Sequence, residues 1–189
     1  MPKETFFNLD EVKRNKIKDK LLEIFSEKPY KDVTVSSIIK RLDIPRGSFY
    51  QYFNDLEDCY FYVLDNNTHD IHKLYMDILS EDGDIFSSLE KFGYKLSDIL
   101  FNEDHYDIYK NRYLYWNQDL TSHWNKCHRK DNNFTISYKN DMQTNIELLY
   151  FIKSIIHSLI KRNFQESWTR EVFLEKYKIY IGWMKRGAF

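Results

Sequence analysis

Leu42-Asp43-Ile44-Pro45-Arg46-Gly47-Ser48-Phe49-Tyr50-Gln51-Tyr52-Phe53 is the stretch on which the reading of this chain turns. Asp43-Ile44-Pro45 makes a tight turn, and Pro45 suits the start of a helix because its fixed φ is already helical. The helix predicted from about Pro45 to Phe53 has two unlike faces. At the helical period Phe49, Phe53 and Leu56 fall within about 60° of one another and form the buried side. Gly47, Ser48 and Gln51 lie opposite, Tyr50 and Tyr52 flank them, and Arg46 stands at the N-terminal tip. A solvated helix face rarely spends a glycine and two tyrosines without a partner.

Working outward, Thr34 is placed to cap a preceding helix with core positions Val35, Ile38, Ile39 and Leu42. Before that, a first helix is expected from Asn8 or Asp10. Asn8 pairs with Glu11 as a cap, Phe7 and Val12 sit at staple positions, and Ile17, Leu21, Ile24 and Phe25 face inward. Lys28-Pro29 ends it, since proline disfavours helix at the residue before it. Three short helices with a tight turn between the second and third make a helix-turn-helix unit.

DNA gives each outward residue of the third helix a task. Arg46 can fork onto guanine and Gln51 onto adenine in the major groove. Gly47 removes a side chain where the helix presses into the groove, and Ser48 reaches a base or a phosphate. Tyr50 and Tyr52 extend sideways to phosphates. The start of the second helix, at Thr34 and Ser36, offers amides to another phosphate, and Lys16 adds a cation. Charge points the same way. Residues 13–54 carry ten lysines and arginines against five acids, about +5, which leaves about −6 for the rest of a chain of formal charge −1. A solvated lysine-rich helix would show the same bias, so charge alone leaves both readings open.

At these residues the sequence resembles the TetR/AcrR family of regulators. The resemblance is carried by Thr34-Val35-Ser36-Ser37-Ile38, by Leu42 through Phe53, and by Phe7-Asn8-Leu9 with Lys13, and it covers residues 7–60. It implies an Ω-shaped homodimer on a palindromic operator, DNA binding by the third helix, and an effector pocket in a C-terminal domain. Two positions depart from the family pattern. Lys28-Pro29 stand near the point where a glycine usually ends the first helix. Leu56 stands where a lysine usually touches a phosphate, which predicts one fewer phosphate contact and weaker, less salt-dependent binding.

The whole chain is expected to be all-α, with about nine helices, divided into a helix-turn-helix domain over 1–54 and an effector-binding and dimerisation domain over 55–189. Five glycines and three prolines in 189 residues, with helical spacing throughout, support this. A long fourth helix is expected from about Asp55 to Leu79. Further helices are expected at 85–101, 105–127 (broken), 136–163 and 169–186. The last helix carries one apolar face with Phe173, Tyr177, Tyr180, Ile181 and Met184 and another with Val172, Ile179 and Trp183. By resemblance the dimer interface falls on the last two helices, at Ile152, Ile156, Leu159, Phe173, Tyr177, Ile181 and Met184. Intrachain core is the other reading of these residues. The aromatic middle of the chain suggests a small hydrophobic or aromatic effector, with Tyr62, Tyr109, Tyr113, Trp116 and Phe151 as pocket candidates and Arg112 as an anchor for an acid. For any single aromatic a place in the core is the stronger reading, and for Arg112 an ordinary surface position.

Forty-two per cent apolar residues and near-neutral charge argue against disorder. Cys59 and Cys127 read as reduced thiols of a cytoplasmic protein. No signal segment or membrane span is apparent. His69 with His72, and His123 with Cys127 and His128, are too few for a structural metal site, so no metal or cofactor is expected. No phosphate loop, nucleophile elbow or metalloprotease motif occurs, which leaves an enzyme unsupported. The functional expectation is a repressor released by its effector. The alternative is an adaptor or coactivator of the same fold, controlled by a protein partner.

Overall fold

The computed structural model describes residues 1–128 and 142–187, and side chains outside 142–146. Among the described residues it is all-α, with eleven α-helices and no strand. They are α1 Glu4–Phe7, α2 Glu11–Glu27, α3 Val35–Leu42, α4 Arg46–Tyr52, α5 Leu56–Asn67, α6 Ile71–Asp82, α7 Ile85–Leu100, α8 Tyr106–Tyr115, α9 Gln118–His128, α10 Met142–Glu166 and α11 Arg170–Gly187. The expected start of a helix at 136 lies outside the described residues.

The chain divides into two compact units. The first runs from Met1 to Thr68 and takes in the segment from Asp107 through α9; the second holds His69–Tyr106 with α10 and α11. The boundary expected at residue 54 falls inside the first unit. The reason is a shared core. Phe6, Leu21, Phe25, Ile38, Phe49, Phe53 and Phe61 belong to one buried cluster with Ile108 of α8 and Leu120 of α9, and Trp116 and Trp124 pack against it.

Local chemistry sets the helix ends of the first unit. Asp10, not Asn8, caps α2, accepting from the Lys13 amide at 2.9 Å. The expected Phe7–Val12 staple does not form, since Val12 is 80% exposed and Phe7 packs with Phe6 and Tyr62. Thr34 caps α3 as expected, and Ser37 completes a capping box. The turn into α4 bends at Asp43, which adopts the left-handed conformation at φ 54, a position aspartate tolerates better than most residues. Pro45 serves as the N-cap of α4 rather than its first residue.

The long fourth helix is two helices. At the end of α5, Asn66, Asn67 and Thr68 turn their side chains back onto the carbonyls of Tyr62, Val63 and Leu64 at 2.7–2.8 Å. Asp70 then caps α6, accepting from the amides of His72 and Lys73 at 3.0 and 3.1 Å. Hydrogen bonding from His72 leads the causes that lower its carboxyl pKa to about 2. Such short polar side chains compete with the helix ladder, and four together stop it.

In the second unit α7 packs on both α6 and α11. Asp84 caps α7, and Gly83, at φ 73, ends α6 in the left-handed region. The buried faces meet through ring contacts, Tyr75 with Phe92 at 5.4 Å and Phe101 with Phe173 at 6.0 Å. Tyr177 donates its hydroxyl to the Leu89 carbonyl at 2.8 Å. Its ring lies against Gly93, where an added Cβ would stand 2.7 Å from Tyr177 Cδ1.

The unit corrects the expected interface. Ile152, Ile156, Leu159, Phe173, Tyr177, Ile181 and Met184 are all buried within the single chain. They are core, the other reading that their spacing allowed. The faces left outward are different ones. Tyr150, Phe151 and Trp183 are more than half exposed, and Ile155, Val172, Ile179 and Tyr180 are partly so.

Candidate nucleic-acid interface

Helix α4 is seven residues long and is held by its buried side. Phe49 and Phe53 are fully buried, with ring centroids 5.5 Å apart. Their burial turns Arg46, Gly47, Tyr50 and Gln51 outward, all exposed, with Ser48 partly so. Arg46 and Tyr50, one turn apart, form a pair: the guanidinium sits 5.7 Å from the ring centroid and Nη2 lies 3.4 Å from the hydroxyl. Both side chains are exposed on the outward face. At Gly47 an added Cβ would meet nothing within 4 Å, so no intrachain contact requires a glycine there.

Tyr52 is a correction. Expected on the exposed flank, it is 6% exposed and packs edge-on against Phe6, at 5.9 Å between centroids. The cause is the segment before Asn8, which sequence reasoning passed over. It folds as α1 against α4 and places Phe6, fully buried, among Tyr52, Phe53 and Tyr62. Two adjacent aromatics at Phe6-Phe7 were the available signal.

Around α4 the other expected residues take up related positions. Lys16, Ser48 and Tyr52 line one depression of about 460 Å³, together with Lys13, Lys20, Asp10 and Asp43. Thr34 and Ser36 are exposed at the start of α3, with Thr34 Oγ1 accepting from the Ser37 amide at 3.1 Å. Leu56 is half buried against the core at the first position of α5, so it offers no cation there.

The pocket candidates lie in different surroundings. Tyr62 is buried in the first unit's core, and Tyr109 of α8 is buried as well. Arg112 donates to Thr68 Oγ1 at 2.6 Å, and its guanidinium lies 5.5 and 5.3 Å from the rings of Trp116 and Trp124. Trp116 is tied by Nε1 to Thr121 Oγ1 at 2.8 Å. Tyr113 is half buried, and Phe151 belongs to the second unit, 53% exposed on α10.

The histidine pairs have other partners. His72 and His157 face each other, Nε2 to Nε2 at 2.9 Å. His128 Nε2 lies 3.0 Å from Asp65 Oδ2, and His123 is paired with Glu57. Among the described residues no group of three His, Cys, Asp or Glu side chains is arranged to hold a metal ion. Cys59 is buried, which pushes its thiol pKa up, and Cys127 is exposed; both are free thiols. No helix among the described residues is long and apolar enough to cross a membrane.

Two short helices, α3 and α4, joined by a tight turn, with Arg46, Gly47, Tyr50 and Gln51 outward on the second, form the helix-turn-helix of a DNA-binding protein. Comparison with known proteins identifies the family. Residues 17–63 match the family model described as bacterial regulatory proteins of the tetR family, and residues 85–187 match that of the tetracyclin repressor C-terminal domain. The chain belongs to the TetR family of transcriptional regulators.

Solved structures share the fold. A TetR family transcriptional regulator from Chloroflexus aurantiacus J-10-fl matches with a TM-score of 0.55 and 22% identity over 99% of this chain and 98% of that one. NalD of Pseudomonas aeruginosa, the secondary repressor of the MexAB-OprM multidrug efflux pump, matches with a TM-score of 0.64 and 14% identity over 90% of this chain and 95% of that one. No curated protein sequence matches the chain.

Proposed function

We propose that this TetR-family regulator is a cytoplasmic repressor that binds a palindromic operator as a homodimer and leaves it when a small hydrophobic or aromatic effector binds. The observation that carries the DNA-reading part is the outward face of α4. Arg46, Tyr50 and Gln51 are exposed on a helix fixed from behind by Phe49 and Phe53, and Gly47 has open space around it. Arg46 and Gln51 read base edges; Tyr50, Ser48, Lys16, and Thr34 and Ser36 at the start of α3 hold phosphates. Tyr52 contributes through the depression it shares with Lys16.

A second copy of the chain covers the outward apolar faces of α10 and α11, centred on Phe151 and Trp183. Two-fold pairing there presents two α4 helices to a two-fold operator. The effector part rests on the aromatic middle of the chain, including the Arg112, Trp116 and Trp124 cluster. Binding at that end shifts the population away from the DNA-competent arrangement.

Selection of duplexes from a random pool by the purified chain tests the reading. Enrichment of a palindrome at low salt is expected, and Gln51→Ala relaxes base preference at one position of each half-site while Lys16→Ala lowers affinity for all duplexes alike. Recovery of no palindrome would sink the repressor reading and favour the adaptor controlled by a protein partner.

A further inference from the structure

We propose that residues 3–6 are a positioning element for α4, in which Lys3 and Thr5 hold the recognition helix in the orientation that lets Gln51 and Tyr50 meet DNA. This rests on the reading of α4 as the base-reading helix.

The argument begins with what a short helix lacks. An isolated helix of fewer than about 12 residues is marginal in water, and α4 has seven. A helix also ends with four carbonyls that have no partner inside it. In α4 these belong to Phe49, Tyr50, Gln51 and Tyr52, and every one is taken. The amide of Phe53 donates to Phe49 O at 2.9 Å. Lys3 Nζ donates to Tyr50 O at 2.8 Å, Thr5 Oγ1 donates to Gln51 O, and the Lys3 amide donates to Tyr52 O at 2.8 Å. Three of the four donors therefore come from the far N-terminal segment. The Lys3 ammonium also complements the negative end of the α4 dipole.

The segment is itself anchored. Phe6 is fully buried, with its ring 5.2 Å from Phe53 and 5.2 Å from Tyr62 between centroids. Arg14 of α2 donates to the Phe7 carbonyl at 2.7 Å. Residues 3–6 thus form a strap fixed to the core at one end and to the last turn of α4 at the other. The carbonyls it grips belong to Tyr50 and Gln51, whose side chains point outward. Releasing the strap frays the turn that carries them, because the carbonyls lose protein donors while Phe49 stays buried. Phosphate contact by Lys3 itself is the competing role.

The test compares full-length chains carrying Lys3→Met with Thr5→Val, Lys3→Arg, and Gln51→Ala, each on the tightest duplex recovered by selection and on a random duplex. Phe6→Ala is avoided because removing a fully buried ring can unfold the unit. The double variant should lose at least about tenfold on the selected duplex, at about fivefold per hydrogen bond. Its affinity for random duplex and its salt slope should stay unchanged, and Lys3→Arg should bind as the parent does. Hydrogen exchange of the amides from Phe49 to Phe53 should quicken in the double variant. Parental binding of the selected duplex by the double variant overturns the proposal. So does an equal loss on both duplexes with a salt slope lower by about one, which marks Lys3 as a phosphate contact. If Gln51→Ala is also silent on the selected duplex, the reading of α4 fails as well.

Discussion

Gly47 in α4 and Gly93 in α7 are both helical glycines, one in each unit, and their surroundings are opposite. Around Gly47 a Cβ would find nothing within 4 Å; at Gly93 it would run into the ring of Tyr177. That ring cannot swing aside. It is 2% exposed, and its hydroxyl is held by the Leu89 carbonyl one turn earlier on the same helix. Gly93 is thus required by the inside of the molecule, where α7 and α11 approach closely. Gly47 costs helix stability, and no intrachain contact within 4 Å calls for it; under the proposed function its reason is the DNA groove. The contrast separates a glycine that packing requires from one that packing leaves free.

The largest expected effect belongs to the inside glycine. Gly93→Ala should destabilise the chain by about 3 kcal/mol, the upper end of ordinary overpacking, measured by denaturant unfolding. Adding Tyr177→Leu should return part of the loss by clearing the ring. A fully stable single variant would show that α7 and α11 are not in the contact described.

The same inside–outside division runs along α11 and supports a second, smaller effect. Met184 is 7% exposed and Trp183, next to it, is 59% exposed. Met184→Ala should cost about 2–5 kcal/mol of stability as a cavity. Trp183→Ala should leave single-chain stability within about 0.5 kcal/mol. It should instead weaken self-association by about 2 kcal/mol, or about thirtyfold in dissociation constant, read by analytical ultracentrifugation. A Trp183 variant that associates as tightly as the parent would remove this face from the dimer.

These pairs also show what the sequence made legible. In the first unit the pattern was local. Phe49 and Phe53 recur with helical period, Thr34 caps, and a tight turn precedes Arg46, so α3 and α4 could be read without knowing what lies above them. Tyr52 failed because its burial depends on Phe6, 46 positions earlier, and no period links them. In the second unit two apolar faces on α11 were visible, but which one turns inward is decided by the partner α7. Phe173, Tyr177, Ile181 and Met184, assigned to an interface, are core for that reason. The single long helix after Asp55 failed differently: the run Asn66-Asn67-Thr68-His69-Asp70 holds the break, and its side chains stop one helix and cap the next.

The smallest energetic effect bears most on function. Gly47 lies at the second residue of α4, in an ordinary helical conformation with open space beyond its Cα. Gly47→Ala therefore meets no intrachain clash and removes unfolded-state freedom, so stability should rise by about 0.5–1 kcal/mol. If α4 presses into a major groove, the added methyl stands between the helix backbone and the base edges, and the stabler protein should bind its selected duplex more weakly. Stability and binding thus move in opposite directions, a result that neither a folding defect nor a silent surface substitution produces. The two quantities are read on one preparation, by thermal unfolding and by fluorescence anisotropy. A stabilised variant with parental DNA affinity would mean that the groove does not come close to Gly47. The approach of α4 would then rest on Arg46 and Gln51 side chains reaching from a greater distance.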